Sequence, residues 1–108
     1  NWFRKNDDGN FIWPGFGENA RVLKWVLERI GGTTEAVETA IGMVPKPEDL
    51  DVSGLDLKPE ELQTLLAVNE DEWKSELTLI EEHYESIGER LPNQMRAQLT
   101  RLSERLAG

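Results

Sequence analysis

The sequence predicts a mainly α-helical chain that opens with a short β-ribbon or ordered loop. Three observations predict it. Apolar residues in the second half recur at spacings of three and four, prolines stand where helices would begin, and residues 1–18 are aromatic, glycine-rich and without period.

Within residues 1–18, Asn6-Asp7-Asp8-Gly9 is a turn signal between two aromatic stretches, Trp2-Phe3 and Phe11-Ile12-Trp13. Pro14-Gly15-Phe16-Gly17 cannot be helix interior. A first helix is expected over 19–30, with Asn19 as its N-cap and Gly31-Gly32 as its end. Val22, Val26 and Ile30 would share its buried face, widened by Leu23 and Leu27. A short strand is expected near 41–44, before Pro45-Lys46-Pro47. Three further helices follow, at about 59–67, 70–88 and 92–106. Pro59 and Pro92 open the first and third. Asn69 caps the second, with Glu70, Asp71 and Glu72 suited to its positive end. Trp73, Leu77, Ile80, Tyr84 and Ile87 form one stripe and Met95, Leu99, Leu102 and Leu106 another, which reads as a helical hairpin. The expected organisation is thus an aromatic segment over 1–50 and an acidic helical segment over 51–108.

The 108 residues suffice for one small domain with a modest core. Net charge is −9, unevenly spread: residues 1–30 carry a balance of +1 and residues 31–108 one of −10. The acidic part disfavours nucleic acid and anionic membrane as partners, while the first thirty residues are free to face a polyanionic small molecule. No apolar run approaches the roughly 18 residues a membrane span needs, and the start of the chain does not read as a signal peptide. The lack of an initiating Met and the aromatic opening suggest a piece of something longer. Cysteine is absent, which removes disulfides, thiolate metal sites and Cys nucleophiles and fits a cytoplasmic origin.

Six of the eight aromatic residues lie in the first 25 positions: Trp2, Phe3, Phe11, Trp13, Phe16 and Trp25. Such a concentration is either a satellite core under the first helix or a stacking site for a flat ligand. The two can coexist, with Trp in the core and Phe lining the site. Gly15-Phe16-Gly17-Glu18-Asn19 runs straight into a helix, where glycines permit close approach and helix N–H groups are free. It is not a dinucleotide fingerprint, because Ala20 stands at the third glycine position and no hydrophobic strand precedes it. A loop that reads a base fits better. The single His83 sits among Glu81, Glu82 and Glu85, and these are read as a solvated helix flank. Adjacent pairs such as Glu60-Glu61 do not share a helix face for acid–base work.

Asn1-Trp2-Phe3-Arg4-Lys5, Phe11-Ile12-Trp13-Pro14-Gly15-Phe16-Gly17-Glu18-Asn19, Arg21-Val22-Leu23 and Ile41-Gly42-Met43-Val44-Pro45-Lys46 together resemble the C-terminal signature of GTP-dependent phosphoenolpyruvate carboxykinases. The resemblance is strongest over 1–46. It departs from the family at Met43, often an aromatic, and Ala20, commonly Ser. It implies a C-terminal fragment of an α/β enzyme that converts oxaloacetate and GTP to phosphoenolpyruvate, GDP and CO2 in gluconeogenesis or anaplerosis. It further implies a cytoplasmic, monomeric enzyme using manganese on the protein and a second metal, magnesium, with the nucleotide. The phosphate loop, metal ligands and reactive Cys would lie outside this chain, so the chain alone is expected to be inactive. By the same resemblance Phe3, Phe11 and Phe16 form the guanine pocket, while Gly17, Glu18 and Asn19 belong to the stretch that contacts the base. A contact from Asn19 to the exocyclic amine would make Asn19→Ala hurt GTP more than ITP. Two other classes compete: a non-enzymatic aromatic module for sugar or proline-rich peptide, and a helical interaction domain over 59–106.

Overall fold

In the computed structural model, which describes residues 1–108, four α-helices and one two-stranded sheet follow the aromatic opening. Helix α1 spans Ala20–Ile30, α2 Pro59–Leu66, α3 Glu70–Ile87 and α4 Asn93–Ala107. Strands β1, Val37–Thr39, and β2, Gly42–Val44, form a hairpin. The mainly helical expectation is met, and the three later helices fall within a residue or so of their expected ends.

The local causes are visible. Pro59 occupies the first turn of α2, where its missing N–H costs nothing. The Asn69 side chain accepts from the N–H groups of Asp71 and Glu72 at 3.1 and 3.2 Å, a cap that stabilises α3 by about 1 kcal/mol. Gly88, at φ 67°, ends α3, and Pro92 caps α4 in extended geometry. At the end of α1 the Gly32 N–H bonds Arg29 O and the Thr33 N–H bonds Glu28 O. With Gly32 at φ 75°, these are the paired bonds of a Schellman ending.

The chain divides into two compact units. One comprises residues 1–38 and 43–67, the other residues 39–42 and 68–108. In the first, Ile12, Trp13, Trp25, Leu50, Leu62 and Leu65 form one buried cluster, with Val22, Ala36, Val52, Leu57 and Leu66 against it. Helix α2 therefore packs with the aromatic segment, because Leu62 and Leu65 are three apart and face the same core. In the second unit α3 packs on α4 as the expected helical hairpin. Its burial is thin: Trp73, Leu77, Ile80 and Tyr84 are half-buried, and Leu106 is the most enclosed side chain. Arg105 Nε donates to Ala40 O at 2.7 Å.

Two expectations are corrected. The buried face of α1 is not Val22, Val26 and Ile30. Trp25 is the buried residue, with Val22 beside it, while Leu23, Leu27 and Ile30 are exposed. The indole carries the largest apolar area on the helix and takes the core position. Leu27, about 200° round the helix from it, is forced outward. The second correction is β1, which pairs with the expected strand. Val37-Glu38-Thr39 is too short to show a period, and the hairpin rests on Gly42 at φ 122°.

Candidate functional site

The aromatic opening is a ribbon. Asn6 organises its turn: its side chain accepts from the N–H groups of Asp8 and Asn10, and its carbonyl from Gly9. Lys5 and Phe11 then pair as an antiparallel bridge, and the Ile12 N–H bonds Arg4 O at 3.0 Å. Arg4 Nη1 reaches the carbonyls of Thr64 and Ala67, the last of them at 3.1 Å. These carbonyls stand at the negative end of α2, where a cation is favoured, although Thr64 O also accepts from the Ala67 N–H. The ribbon is thereby fastened to the helix that carries Leu62 and Leu65.

The aromatic residues of this segment sort only in part by type, since Trp2 is exposed like the Phe rings. Ile12, Trp13 and Trp25 are core, whereas Phe3, Phe11 and Phe16 are 71%, 57% and 90% exposed. Phe3 and Phe11 meet edge to face with ring centroids 6.3 Å apart, and Lys5 Nζ lies 5.2 Å from the Phe11 centroid. Phe16 contacts neither ring. The three Phe rings are presented to the outside, and two of the three are brought together.

Phe16 opens a 3-10 turn, Phe16–Glu18, that leads into α1. Gly15 makes the entry possible at φ 136° and ψ −180°, a region essentially closed to other residues. Gly17 differs: its φ is not positive, and a Cβ there would meet nothing within 4 Å. Nothing within the chain demands a glycine at 17. Glu18 turns along the helix to Arg21, Oε2 to Nε 2.7 Å. Arg21 Nη1 in turn donates to Asp51 O at 3.0 Å, so Glu18 is engaged in holding the turn.

Asn19 stands at the N-cap position, but its backbone is already helical and its side chain makes no capping bond. The preceding 3-10 turn satisfies its N–H, which bonds Phe16 O at 3.0 Å. Its Oδ1 instead accepts from the Trp13 indole Nε1–H at 2.8 Å. An indole N–H can only donate, so the amide oxygen must face Trp13. Nδ2, with two donors, has no partner within the chain and is not sealed from solvent, since the one buried unpartnered side-chain nitrogen is Trp25 Nε1. The expected capping role of Asn19 is thus replaced by an oriented amide. Sequence reasoning counted Trp13 only as core; its spacing of six from Asn19 carries no recognisable signal.

Asp51 closes the clip around the turn. Its carboxylate lies 3.7 Å from Arg21 and 3.5 Å from Lys24, and accepts from both the hydroxyl and the N–H of Ser53. Chiefly through the Ser53 hydroxyl bond, its pKa is lowered from 3.8 to about 2. A depressed folded-state pKa gives stability that is present above the unfolded value and lost as pH falls toward the folded one. Asp51→Asn should therefore lower the urea midpoint at pH 5. The difference from the parent chain should fade between about pH 4 and pH 2. A gap that stays constant down to pH 2 would contradict this clip.

No group of three His, Cys, Asp or Glu side chains is placed to hold a metal ion. The donor set of these 108 residues therefore does not fit the manganese that the resemblance implies. No helix is long and apolar enough to cross a membrane.

Residues 1–105 match the family described as phosphoenolpyruvate carboxykinase C-terminal P-loop domain. The chain is 51% identical over 107 residues to the phosphoenolpyruvate carboxykinase [GTP] of Arthrobacter sp. (strain FB24), covering 99% of this chain and 18% of that protein. It is 49% identical over 106 residues to that of Paenarthrobacter aurescens (strain TC1), covering 98% and 17%. Against that of Treponema pallidum (strain Nichols) it is 47% identical over 109 residues, covering 100% and 18%. The chain thus spans less than one fifth of the length of these relatives. With a family match over nearly all of its residues and relatives near half-identical, the chain belongs to the GTP-dependent phosphoenolpyruvate carboxykinase family, in its C-terminal domain.

Proposed function

We propose that this chain supplies the guanine-holding segment of a carboxykinase that turns oxaloacetate and GTP into phosphoenolpyruvate, GDP and CO2. The observation that carries the reading is the sorting of the aromatic residues. Three Phe rings stand exposed within sixteen residues while the neighbouring Ile12 and Trp13 are buried. Exposing that much ring surface is unfavourable unless something flat covers it. Gly17, which nothing in the chain requires, leaves room for close approach at the same turn. Phe3, Phe11 and Phe16 supply stacking. The Asn19 amide supplies donors, which meet an acceptor; guanine O6 is such an acceptor and the exocyclic amine is not. The base edge assigned to Asn19 thereby moves from the amine to O6.

The surrounding enzyme would contribute the phosphate loop, the manganese and magnesium sites and the α/β framework. The outward stripe Leu23, Leu27 and Ile30 on α1 fits a segment covered by further polypeptide. A monomeric cytoplasmic enzyme of gluconeogenesis or anaplerosis is the accompanying proposal. Neither the aromatic-module nor the helical-interaction alternative finds support in the relatives, all of them carboxykinases by name.

The test is Phe16→Ala in the intact carboxykinase. A stacked ring is worth about 1–3 kcal/mol per base, so KM for GTP should rise roughly 5- to 150-fold. KM for ITP should rise in the same proportion, since a ring reads no polar pattern. At 90% exposure the ring contributes little to the fold, so the melting temperature should hold. An unchanged KM for GTP would remove Phe16 from the site.

A further inference from the structure

We infer that Trp13 is a specificity-determining positioning residue: its indole N–H fixes which end of the Asn19 amide is presented to the base. This rests on the guanine reading above and extends it to a residue that touches no base.

An asparagine amide is nearly symmetric in shape and opposite in chemistry at its two ends. A half-turn about the last side-chain bond exchanges an acceptor for two donors. An unconstrained Asn in a base pocket therefore reads nothing reliably, because it can meet O6 of guanine with Nδ2 or the 6-amino group of adenine with Oδ1. Discrimination needs a second group that accepts only one orientation. The Trp13 Nε1–H is such a group, at 2.8 Å from Oδ1 and with no capacity to accept. A Ser, Tyr or water in its place would tolerate either end.

The indole is also immobile. Trp13 is 3% exposed and belongs to the buried cluster with Ile12, Trp25, Leu50, Leu62 and Leu65, so its N–H cannot follow a rotating amide. On the other side, Asn19 has a helical backbone and its carbonyl already accepts from the Val22 and Leu23 N–H groups. Only the amide is left to turn. Nor does the helix employ that side chain as a cap, so the bond to Trp13 is the single interaction that sets its sense.

The experiment uses the intact carboxykinase with GTP, ITP and ATP, and compares kcat/KM among them. Trp13 is replaced by Phe and, in a second variant, by benzothienylalanine, which keeps the bicyclic volume and has sulfur where the N–H was. In both variants the preference for GTP over ATP should fall by about tenfold, as one reversed polar contact is relieved by the released amide. The GTP-to-ITP ratio should stay as in the parent, because both bases carry O6. In the Asn19→Ala background, Trp13→Phe should change the GTP-to-ATP preference no further. If kcat/KM for all three nucleotides falls by one common factor, the indole is packing only and the inference is overturned. It is also overturned if Asn19→Ala lowers the GTP-to-ATP preference while the benzothienylalanine variant retains it, an outcome that leaves the guanine reading standing. If Asn19→Ala itself leaves that preference unchanged, the assignment of Asn19 to the base fails, and the role of Trp13 with it.

Discussion

Trp25→Ala is expected to cost the chain about 3–5 kcal/mol of stability, whereas Trp25→Phe should cost less than about 1.5 kcal/mol. The alanine variant loses most of one of the two indoles in the buried cluster, and a small domain has only about 5–15 kcal/mol to lose. The phenylalanine variant loses volume as well, but it also removes the buried indole N–H that has no hydrogen-bond partner. An unsatisfied buried donor costs about 1–3 kcal/mol, so its removal offsets much of the lost packing. Trp13→Phe is the control. It removes a comparable volume from the same cluster but also breaks a bond that is made, to Asn19 Oδ1. The expected order of cost is Trp25→Phe, then Trp13→Phe, then Trp25→Ala. Urea unfolding followed by far-UV circular dichroism measures it without relying on the tryptophans themselves. If Trp25→Phe proves as costly as Trp13→Phe, the Trp25 N–H has a partner and the argument from its isolation fails.

The same two tryptophans mark where the sequence could and could not be read. Helices α2, α3 and α4 were legible because their ends carry their own chemistry: Pro59, the Asn69 cap and Gly88 each satisfy a local rule independent of the rest of the chain. The inward face of α1 was not legible. Val22, Leu23, Val26, Leu27 and Ile30 fall within about 140° of the helix and Trp25 stands at the edge of that arc, so periodicity centres the apolar face on the aliphatic residues and only the core decides that Trp25 turns in. At the site, the Phe residues stood out by density and by family resemblance. Their exposure did not, since density alone is equally a mark of core. Asn19 was misread as a cap for a definite reason. Asn before a helix is the strongest capping signal there is, and nothing local announces that a 3-10 turn will take over the capping work and release the side chain to an indole six residues back.

Asn19→Asp in the intact carboxykinase should lower kcat/KM for GTP roughly 10- to 1,500-fold while leaving the fold in place. Aspartate has the same shape and still offers an oxygen to the Trp13 N–H, so the packing around residue 19 is preserved. What changes is the other end, where two N–H donors become a carboxylate oxygen. On the proposed reading that end faces guanine O6. The variant then loses a hydrogen bond worth about 0.5–1.5 kcal/mol and sets acceptor against acceptor at a further cost of about 1–3 kcal/mol. The sum corresponds to the stated range, at tenfold for each 1.4 kcal/mol. ITP should fall with GTP, because inosine keeps O6 and lacks only the amine. The triphosphate of 2-aminoadenosine carries a donor at position 6 and should be hurt least, so its kcat/KM relative to GTP should rise. Steady-state kinetics with these three nucleotides distinguish the possibilities. If GTP survives the substitution better than ITP does, Asn19 reads the exocyclic amine through a second lone pair of Oδ1, an oxygen that aspartate keeps. The O6 assignment, drawn from the single bond to Trp13, would then be wrong.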